Sequence, residues 1–354
     1  MNLNKYRKQI DDIDDEVLKL LNRRMIAVKT IGDLKQTTGS AIYRPERERE
    51  ILDRLKSLND GYLNDDAIDA IFQEVFAVSR NIELPENIAY LGPKGSFTHQ
   101  VAESRFGAMG RYIGLNSIEA VFTVLANKEA KYGVVPIENN TEGAVGVTLD
   151  CLGKYESQII AEIYMDIHHS FVSICESLKD VKKIYSHPQG YNQCRTFLEE
   201  HFLNDIEFIA TKSTALAAKM AAEDKNSAAI CSHIAAKLYK VPILFEKIED
   251  NMANKTRFLI LSDFKNAKSK KSKTSILAKT ADKPGGLVQF LQTFQKYGVN
   301  LTKIESRPIK EKGFKTVFYL DFEGHIDDER VQNILKENRT SHDIKWLGSY
   351  VNGE

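Results

Sequence analysis

The stretch IEDNMANKTRFLIL, Ile248 to Leu261, sets a polar cluster (Glu249, Asp250, Asn251, Asn254, Thr256, Arg257) against the apolar run Phe258–Leu261. A short apolar run bounded by turn-forming residues reads as a buried strand. Open α/β sheets bind ligands where polar groups gather at the mouth of such a strand. The stretch therefore predicts an α/β region and the neighbourhood of its site.

The flanking sequence supports this. From residue 87 to about 263, short apolar strands (Ile88–Leu91, Tyr132–Ile137, Ser170–Ile174, Lys183–Tyr185, Ala228–Ile230) alternate with helical stretches. Ser117 and Ser213 stand where helix N-caps are expected. Such alternation argues for parallel or mixed sheets covered by helices. Gly92 and Gly95 form a loop after the first strand, ahead of Ser96 and Thr98 at a helix start, where backbone N–H groups can hold a carboxylate. A phosphate loop would need a following Gly-Lys-Ser/Thr, which is missing. Glu138, Asn139, Asn140, Thr141 and Glu142 close the strand Val134–Ile137, and His187-Pro188-Gln189 closes another. Both are positions for a ligand loop. His168 and His169 are adjacent, so on a strand they point to opposite sides, which argues against a metal pair.

Residues 1 to about 84 read as helix throughout. Apolar residues recur at helical spacing (Ile10, Ile13, Val17, Leu20, Leu21, Val28, Ile31, Leu34), and Pro45 and Asn64 mark two further helix starts. A first helix from about Leu3 to Lys35 would be roughly 50 Å long. That exceeds what a segment of this size can cover alone, so a second copy of the chain is expected against it. Arg24 and Lys35 share a face, with Arg7 rotated about a quarter turn from them. Arg44, Arg47 and Glu48 open the second helix, and Ser79 and Glu83 share a face of the third. Any one of these suits a solvated surface, but cations gathered on inward faces call for an anionic ligand.

Lys265–Lys273 (KNAKSKKSK) reads as a solvated tether, since no aromatic residues accompany its lysines. Residues 274–351 then follow a βαββαβ order, the ferredoxin-like split unit. Its first turn holds Pro284-Gly285-Gly286-Leu287-Val288, and Glu305-Ser306-Arg307-Pro308 ends its second strand.

The chain has 354 residues, with Lys+Arg and Asp+Glu both at 49, so it carries no global attraction for nucleic acid or anionic membrane. Four scattered cysteines argue for reduced thiols. The N-terminus has no apolar core of signal-peptide type, and a cytoplasmic protein is expected.

Three families are resembled, in order along the chain. YRKQIDDIDDEVLKLLNRR, the Lys35 position and YRPERERE (Tyr43–Glu50) are similar to the all-helical chorismate mutases. That resemblance implies an intertwined helical domain over 1–84. Arg7 would reach the partner chain's site, and Arg24 and Arg47 would hold substrate carboxylates. Lys35 would bond the ether oxygen, with Arg44, Glu48 and Ser79 completing the cage. Some relatives have glutamine at Glu83. A glutamate donates a hydrogen bond to an ether oxygen only when protonated, so mutase activity is expected to fall as pH rises.

YLGPKGSFTHQVA, VVPIENNTEGAVGVTLDCL, IYSHPQGYNQCRTFL, STALAAKMAA, AAICSHIAAKLYKVPIL and the Thr256-Arg257-Phe258 run resemble prephenate dehydratases. They imply two α/β subdomains of periplasmic-binding-protein type over 87–263, with the substrate between them. Thr256 would donate to the leaving hydroxyl. Glu138 and Arg257 would polarise it or bind an anion, and Ser96, Asn139, Thr141, Gln189 and Ser213 would orient the substrate. The glycine turn and Glu305–Pro308 resemble the phenylalanine-binding ACT domain, an α+β unit over 274–351. Gly285, Gly286, Leu287, Val288, Glu305, Ser306, Arg307 and Pro308 would meet the effector, the carboxylate on the amides of Gly286 and Leu287.

The resemblances together imply a multidomain, at least dimeric enzyme. It would convert chorismate to prephenate and then to phenylpyruvate with no cofactor or metal, under feedback by phenylalanine. The alternatives are a dehydratase whose helices only dimerise, and a non-catalytic amino-acid-sensing protein.

Overall fold

A computed structural model describes residues 3–38, 45–83, 87–107, 110–269, 271–280, 283–308, 316–338 and 343–353, without the side chains of 36–38. The chain divides into two compact units, residues 1–86 with 104–111, and residues 87–103 with 112–354.

The helical unit comprises α1 (Leu3–Thr38), α2 (Pro45–Leu58) and α3 (Asp65–Glu83). Pro45 takes the first position of α2, where its missing N–H costs nothing. Asn64 Oδ1 accepts from Ala67 N at 2.8 Å and so caps α3. Val28, Ile68, Phe76 and Ala77 are buried between the helices. At Gly32, α1 and α3 approach so closely that a Cβ would stand 3.0 Å from Glu83 Cα. Along α1, Tyr6, Ile10, Ile13, Val17 and Leu20 stay 47–58 % exposed. Their 4-3-4-3 spacing is that of a helix–helix seam.

The second unit opens with β1 (Asn87–Leu91), α4 (Phe97–Phe106), β2 (Arg111–Leu115), α5 (Ile118–Ala126), β3 (Tyr132–Asn139), β4 (Gly143–Ala144), α6 (Gly146–Lys154) and β5 (Gln158–Asp166). It crosses to a second half through β6 (Ser170–Ser173), β7 (Lys183–Ser186), α7 (Pro188–Asn192), α8 (Arg195–Glu200), β8 (Glu207–Ala210), α9 (Thr214–Glu223), β9 (Ser227–Cys231), α10 (His233–Tyr239) and β10 (Ile243–Glu246). The chain then returns by β11 (Lys255–Ser262). The first sheet runs β2-β1-β3-β11-β5, with β4 on β3, and the second β10-β6-β9-β7-β8. Strand β11 therefore begins before the apolar run, and Thr256 and Arg257 lie inside the strand rather than ahead of it.

The C-terminal part is β12 (Ser272–Lys279), α11 (Gly286–Lys296), β13 (Leu301–Pro308), β14 (Thr316–Glu323), α12 (Glu329–Asn338) and β15 (Asp343–Val351), in the sheet order β13-β14-β12-β15. One face of this sheet carries Ile276, Leu320 and Phe322 against Phe290, Phe294 and Ile334 of the two helices. The other face sends Leu277, Tyr319, Leu347 and Tyr350 into one core with Leu152, Ile159 and Leu259 of the first half. Where β15 crosses β5, a Cβ on Gly348 (φ +152°) would come within 2.8 Å of Ile159 N and closer still to its carbonyl oxygen.

This seating corrects the expectation of a solvated tether over 265–273. Asn266 Nδ2 donates to Ile160 O at 2.7 Å and Ser349 O at 3.1 Å, and Lys273 is buried on Glu162 at 2.7 Å. Glu162, a carboxylate from a distant strand, draws Lys273 inward, and nothing local to the run announces it; Lys265, Lys268 and Lys271 stay exposed, as the tether reading expected.

Candidate active site

Between the two halves of the second unit lies a cavity of about 360 Å³, within the size range of small-molecule sites. Thr256, Pro136 and Asn139 line its floor; Phe97 and Thr98, in the first turn of α4, line one wall, and Gln189 and Ser213 another. A helix start favours an anion nearby.

The polar centre is Asn139. Its Oδ1 accepts from Thr141 N at 2.9 Å, from Glu142 N at 3.2 Å and from Thr141 Oγ1. That fixes the amide, with its NH₂ turned inward to donate to Thr256 Oγ1 at 2.7 Å and Asn254 Oδ1 at 2.9 Å. Thr256 Oγ1 thus accepts from Asn139 and keeps its own O–H for a ligand.

The network continues into the second half. Gln193 Oε1 is 3.0 Å from His169 Nε2 and receives Asn254 Nδ2 at 3.5 Å. Because an amide oxygen only accepts, His169 carries its proton on Nε2. Its Nδ1 has no hydrogen-bond partner among the described residues. Burial pushes its pKa below the ordinary value. His168 Nδ1 meets Glu249 Oε1 at 2.6 Å, a carboxylate 81 residues away that local sequence did not disclose. Among the described residues, no group of three or more His, Cys, Asp or Glu side chains is arranged to hold a metal ion.

Several expected residues take other places. Ser213 Oγ accepts from Leu216 N at 3.1 Å and so caps α9 while lining the cavity. Ser96 Oγ donates to Leu91 O at 3.0 Å and accepts from His99 N at 3.2 Å. Gln189 Nε2 donates to Glu142 across the cavity. Glu138 and Arg257, expected beside Thr256, are paired with each other in register and point to the opposite face of the sheet. There Arg257 is only 2 % exposed and bound to Glu162 and Asp321, and Glu138 pairs with Lys303. This corrects their assignment as polarising or anion-binding groups: neighbours along a strand alternate faces. The cation that does line the cavity is Lys212, beside Ser213. His169, Asn254 and Lys212 had no assigned role in the sequence reading.

In the helical unit, Arg24 Nη1 donates to Ser79 Oγ, and Lys35 Nζ lies 2.7 Å from Glu83 Oε2. Burial lowers the Arg24 pKa, against the raising charges of Glu83 and Glu48. Glu48 is held by Arg80, unforeseen in the sequence reading, and by Arg105 Nη2 at 3.4 Å. Arg47 does not join this group; it is 65 % exposed and pairs with Glu50 at 2.9 Å. Adjacent residues on a helix are turned about 100° apart, and here Glu48 takes the inward direction while Arg47 points outward. Arg7 is exposed on α1, and Arg44 lies outside the described residues.

In the C-terminal part, Gly285 has φ +79° and leads into α11. Gly286 N donates to Lys283 O at 3.0 Å. Its amide is therefore engaged in the turn, which corrects its role as a carboxylate donor. Leu287 and Val288 begin the helix. On the edge strand β13, Lys303, Glu305 and Arg307 alternate with the more exposed Ile304, Ser306 and Pro308. Arg307 forms a fork on Asp150, Nε to Oδ1 at 2.5 Å and Nη2 to Oδ2 at 2.7 Å. A second cavity, about 610 Å³, lies between α6 and this sheet.

A ligand-sized cleft between two α/β halves, joined through a shared core to a βαββαβ unit, defines a two-subdomain α/β binding fold with a ferredoxin-like appendage. Family patterns match in chain order: Chorismate mutase type II over 6–84, Prephenate dehydratase over 88–266 and ACT domain over 274–340. The chain is 41% identical over 353 residues to the bifunctional chorismate mutase/prephenate dehydratase of Aquifex aeolicus (strain VF5), covering 98% of this chain and 97% of that one. It is 30% identical over 368 residues to the protein of that name from Escherichia coli (strain K12), covering 97% and 95%. Among solved structures, the prephenate dehydratase of Arthrobacter aurescens in complex with L-Phe aligns at a TM-score of 0.69, with 32% identity, over 75% of this chain and 90% of that one. The chain belongs to the bifunctional chorismate mutase/prephenate dehydratase family. Both activity names apply to relatives matched over nearly the whole chain, which favours two catalytic units over a scaffold or a sensor alone. Among the described residues, no helix is long and apolar enough to cross a membrane.

Proposed function

We propose that the chain rearranges chorismate to prephenate in the helical unit and converts prephenate to phenylpyruvate in the cleft, and that L-phenylalanine binding at the C-terminal part restrains the second step. The proposed division of labour is 1–84, 87–263 and 274–351. The observation that carries the dehydratase reading is the Asn139–Thr256 hydrogen bond at 2.7 Å, which leaves the threonine proton for the substrate.

In the cleft, prephenate loses its ring hydroxyl as hydroxide, which takes a proton from solvent to become water, and its ring carboxylate as CO₂, while the ring becomes aromatic. The C–OH bond breaks towards oxygen, and the electron pair of the C–CO₂ bond moves into the ring. Thr256 donates a hydrogen bond to the departing oxygen, and its own high pKa makes the polarising amide necessary. Lys212 and the first turn of α4 are placed to hold carboxylates, one of which must stay loosely enough bound to leave as CO₂.

In the helical unit no nucleophile is required. Arg24 and Lys35, with Ser79, Glu48 and Glu83, hold a dianion in its compact conformer and meet charge growing on the ether oxygen. We further propose that the apolar seam of α1 is covered by a second copy, which brings Arg7 to the partner's site in a homodimer. At the C-terminal part, Gly285, Leu287 and Val288 with Glu305–Pro308 are the proposed effector contacts. Partners are thus small molecules rather than nucleic acid or membrane, and four free cysteines suit the reducing cytoplasm.

The test follows chorismate, prephenate and phenylpyruvate separately, with and without phenylalanine, for the wild-type chain and Thr256→Val. Phenylpyruvate formed from chorismate, suppressed by phenylalanine and lost in Thr256→Val with prephenate accumulating, is the expected result. Full dehydratase activity in Thr256→Val would remove the threonine from the mechanism.

A further inference from the structure

The two strands that carry the catalytic pair also carry, one residue away, the two side chains that reach the C-terminal sheet. On β11, Thr256 faces the cleft and Arg257 the opposite side; on β3, Asn139 faces the cleft and Glu138 the opposite side. Arg257 Nε and Nη2 lie 2.8 and 2.7 Å from Glu162 Oε2 on β5. Its Nη1 meets Asp321 Oδ2 on β14 at 2.6 Å and its Nη2 meets Tyr350 Oη on β15 at 3.0 Å. Lys273 of β12 holds the other oxygen of Glu162 at 2.7 Å. Ser275 of β12 bonds both Asp321 and Tyr350. Glu138 is bound by Lys303 of β13, the strand that ends in Glu305–Pro308.

Two cations and two anions are thus buried with their hydrogen bonds made. Apolar residues of similar size often stabilise a core as well as such a cluster does, so stability alone does not account for it. What the cluster adds is direction and register: every strand of the C-terminal sheet grips β11 or β3 directly behind Thr256 and Asn139, or holds a residue that does.

We propose that Arg257 is a positioning residue: its guanidinium couples the C-terminal sheet to Thr256, and with Lys303–Glu138 beside it carries the effector's influence into the cleft. Successive Cα atoms are 3.8 Å apart, so a shift of the sheet that drags Arg257 cannot leave Thr256 where it was. A misplacement near 1 Å is enough to cost on the order of 10²-fold in rate. An effector that favours one seating of the sheet would then select one placement of the threonine.

This rests on the reading of Thr256 as proton donor and of the C-terminal part as a phenylalanine sensor. Full-length Arg257→Lys, Tyr350→Phe and Lys303→Met are compared with wild type for prephenate kinetics, direct phenylalanine binding by calorimetry and inhibition. The thermal melting transition of each variant serves as the folding control, and the mutase rate as the control for enzyme concentration. Tyr350→Phe removes a single hydroxyl and Lys303→Met one partly exposed charge, so both report even if Arg257→Lys fails to fold. In Arg257→Lys, kcat is expected to fall about 10- to 100-fold while KM moves less than about 3-fold. Tyr350→Phe and Lys303→Met should still bind phenylalanine, with inhibition weakened by about 5-fold or more. Wild-type kcat and inhibition in Tyr350→Phe and Lys303→Met would overturn the proposal. So would an Arg257→Lys change confined to KM, which would put the guanidinium on the substrate. A wild type indifferent to phenylalanine, or a fully active Thr256→Val, would instead bring down the underlying reading and the coupling with it.

Discussion

Replacing Asn139 by aspartate keeps its shape and inverts its polarity. The native amide donates to Thr256 Oγ1 at 2.7 Å and to Asn254 Oδ1 at 2.9 Å, while its oxygen accepts from Thr141 and Glu142. A carboxylate still accepts from Thr141 and Glu142 but has nothing to donate. Thr256 then turns its O–H onto the new carboxylate, and its proton is withdrawn from the substrate. The expected loss is the whole proton-donor contribution, about 10²- to 10⁴-fold in kcat, or ~2.7 to 5.5 kcal/mol of transition-state stabilisation. The facing oxygens of the new carboxylate and Asn254 add a folding cost of about 1–3 kcal/mol. The assay is phenylpyruvate formation from prephenate, at saturating and at low substrate, with the mutase rate of the same preparation as control. The expected signature is a lower kcat with an unchanged mutase rate. Asn139→Asp within about 10-fold of wild-type kcat would refute the view that the amide sets the direction of the threonine hydrogen bond, since that falls below the low edge of an acid–base contribution, about 10²-fold.

Three further outcomes are expected. A methyl group on Gly348 collides with Ile159, so Gly348→Ala should cost about 1–3 kcal/mol by overpacking and depress dehydratase but not mutase activity; an unchanged melting temperature would count against the tight β5–β15 seating. His99, His169 and His325 are buried, and burial holds each pKa below the ordinary value. Their unfolded forms protonate near pH 6.5, so stability is full above that pH and declines as pH falls towards the folded pKa values, each group contributing up to about 1.4 kcal/mol per pH unit; equal urea midpoints at pH 7.5 and 5.5 would contradict this. Glu83→Gln removes the carboxylate that holds Lys35 at 2.7 Å and leaves a hydrogen-bond donor in its place, so mutase kcat should rise at neutral pH, and an unchanged kcat would remove Glu83 from the ether-oxygen contact.

Much of the architecture was legible because it is local. Helical spacing in 1–84, the cap at Asn64 and the βαββαβ order with its glycine turn each depend on a few neighbouring residues. Strand β5 (Gln158–Asp166) escaped because Glu162 interrupts its apolar run. The physical reason for that glutamate, the guanidinium of Arg257, lies 95 residues away. The run at 265–273 misled at Asn266 and Lys273 for the same reason: composition describes solvated residues until Ile160, Ser349 and Glu162 are placed beside these two.

Thr256, the expected donor, lines the cavity, whereas Arg257, expected beside it, does not, and the difference has a simple cause. A short motif invites its residues to be read as one group, whereas a strand separates neighbours onto opposite faces. The rule does not reach His168 and His169, which were expected on a strand and lie in the connection between β5 and β6. Applied to Thr256-Arg257-Phe258, it sends Thr256 and Phe258 to the cleft, where both line the cavity. Arg257 goes behind the sheet, where Glu162 of the neighbouring β5 satisfies only part of its buried guanidinium. The C-terminal sheet supplies Asp321 and Tyr350 for that purpose. The residue beside Thr256 on β11 thus holds the C-terminal sheet against the strand that lines the cleft, which is the contact the proposed coupling requires.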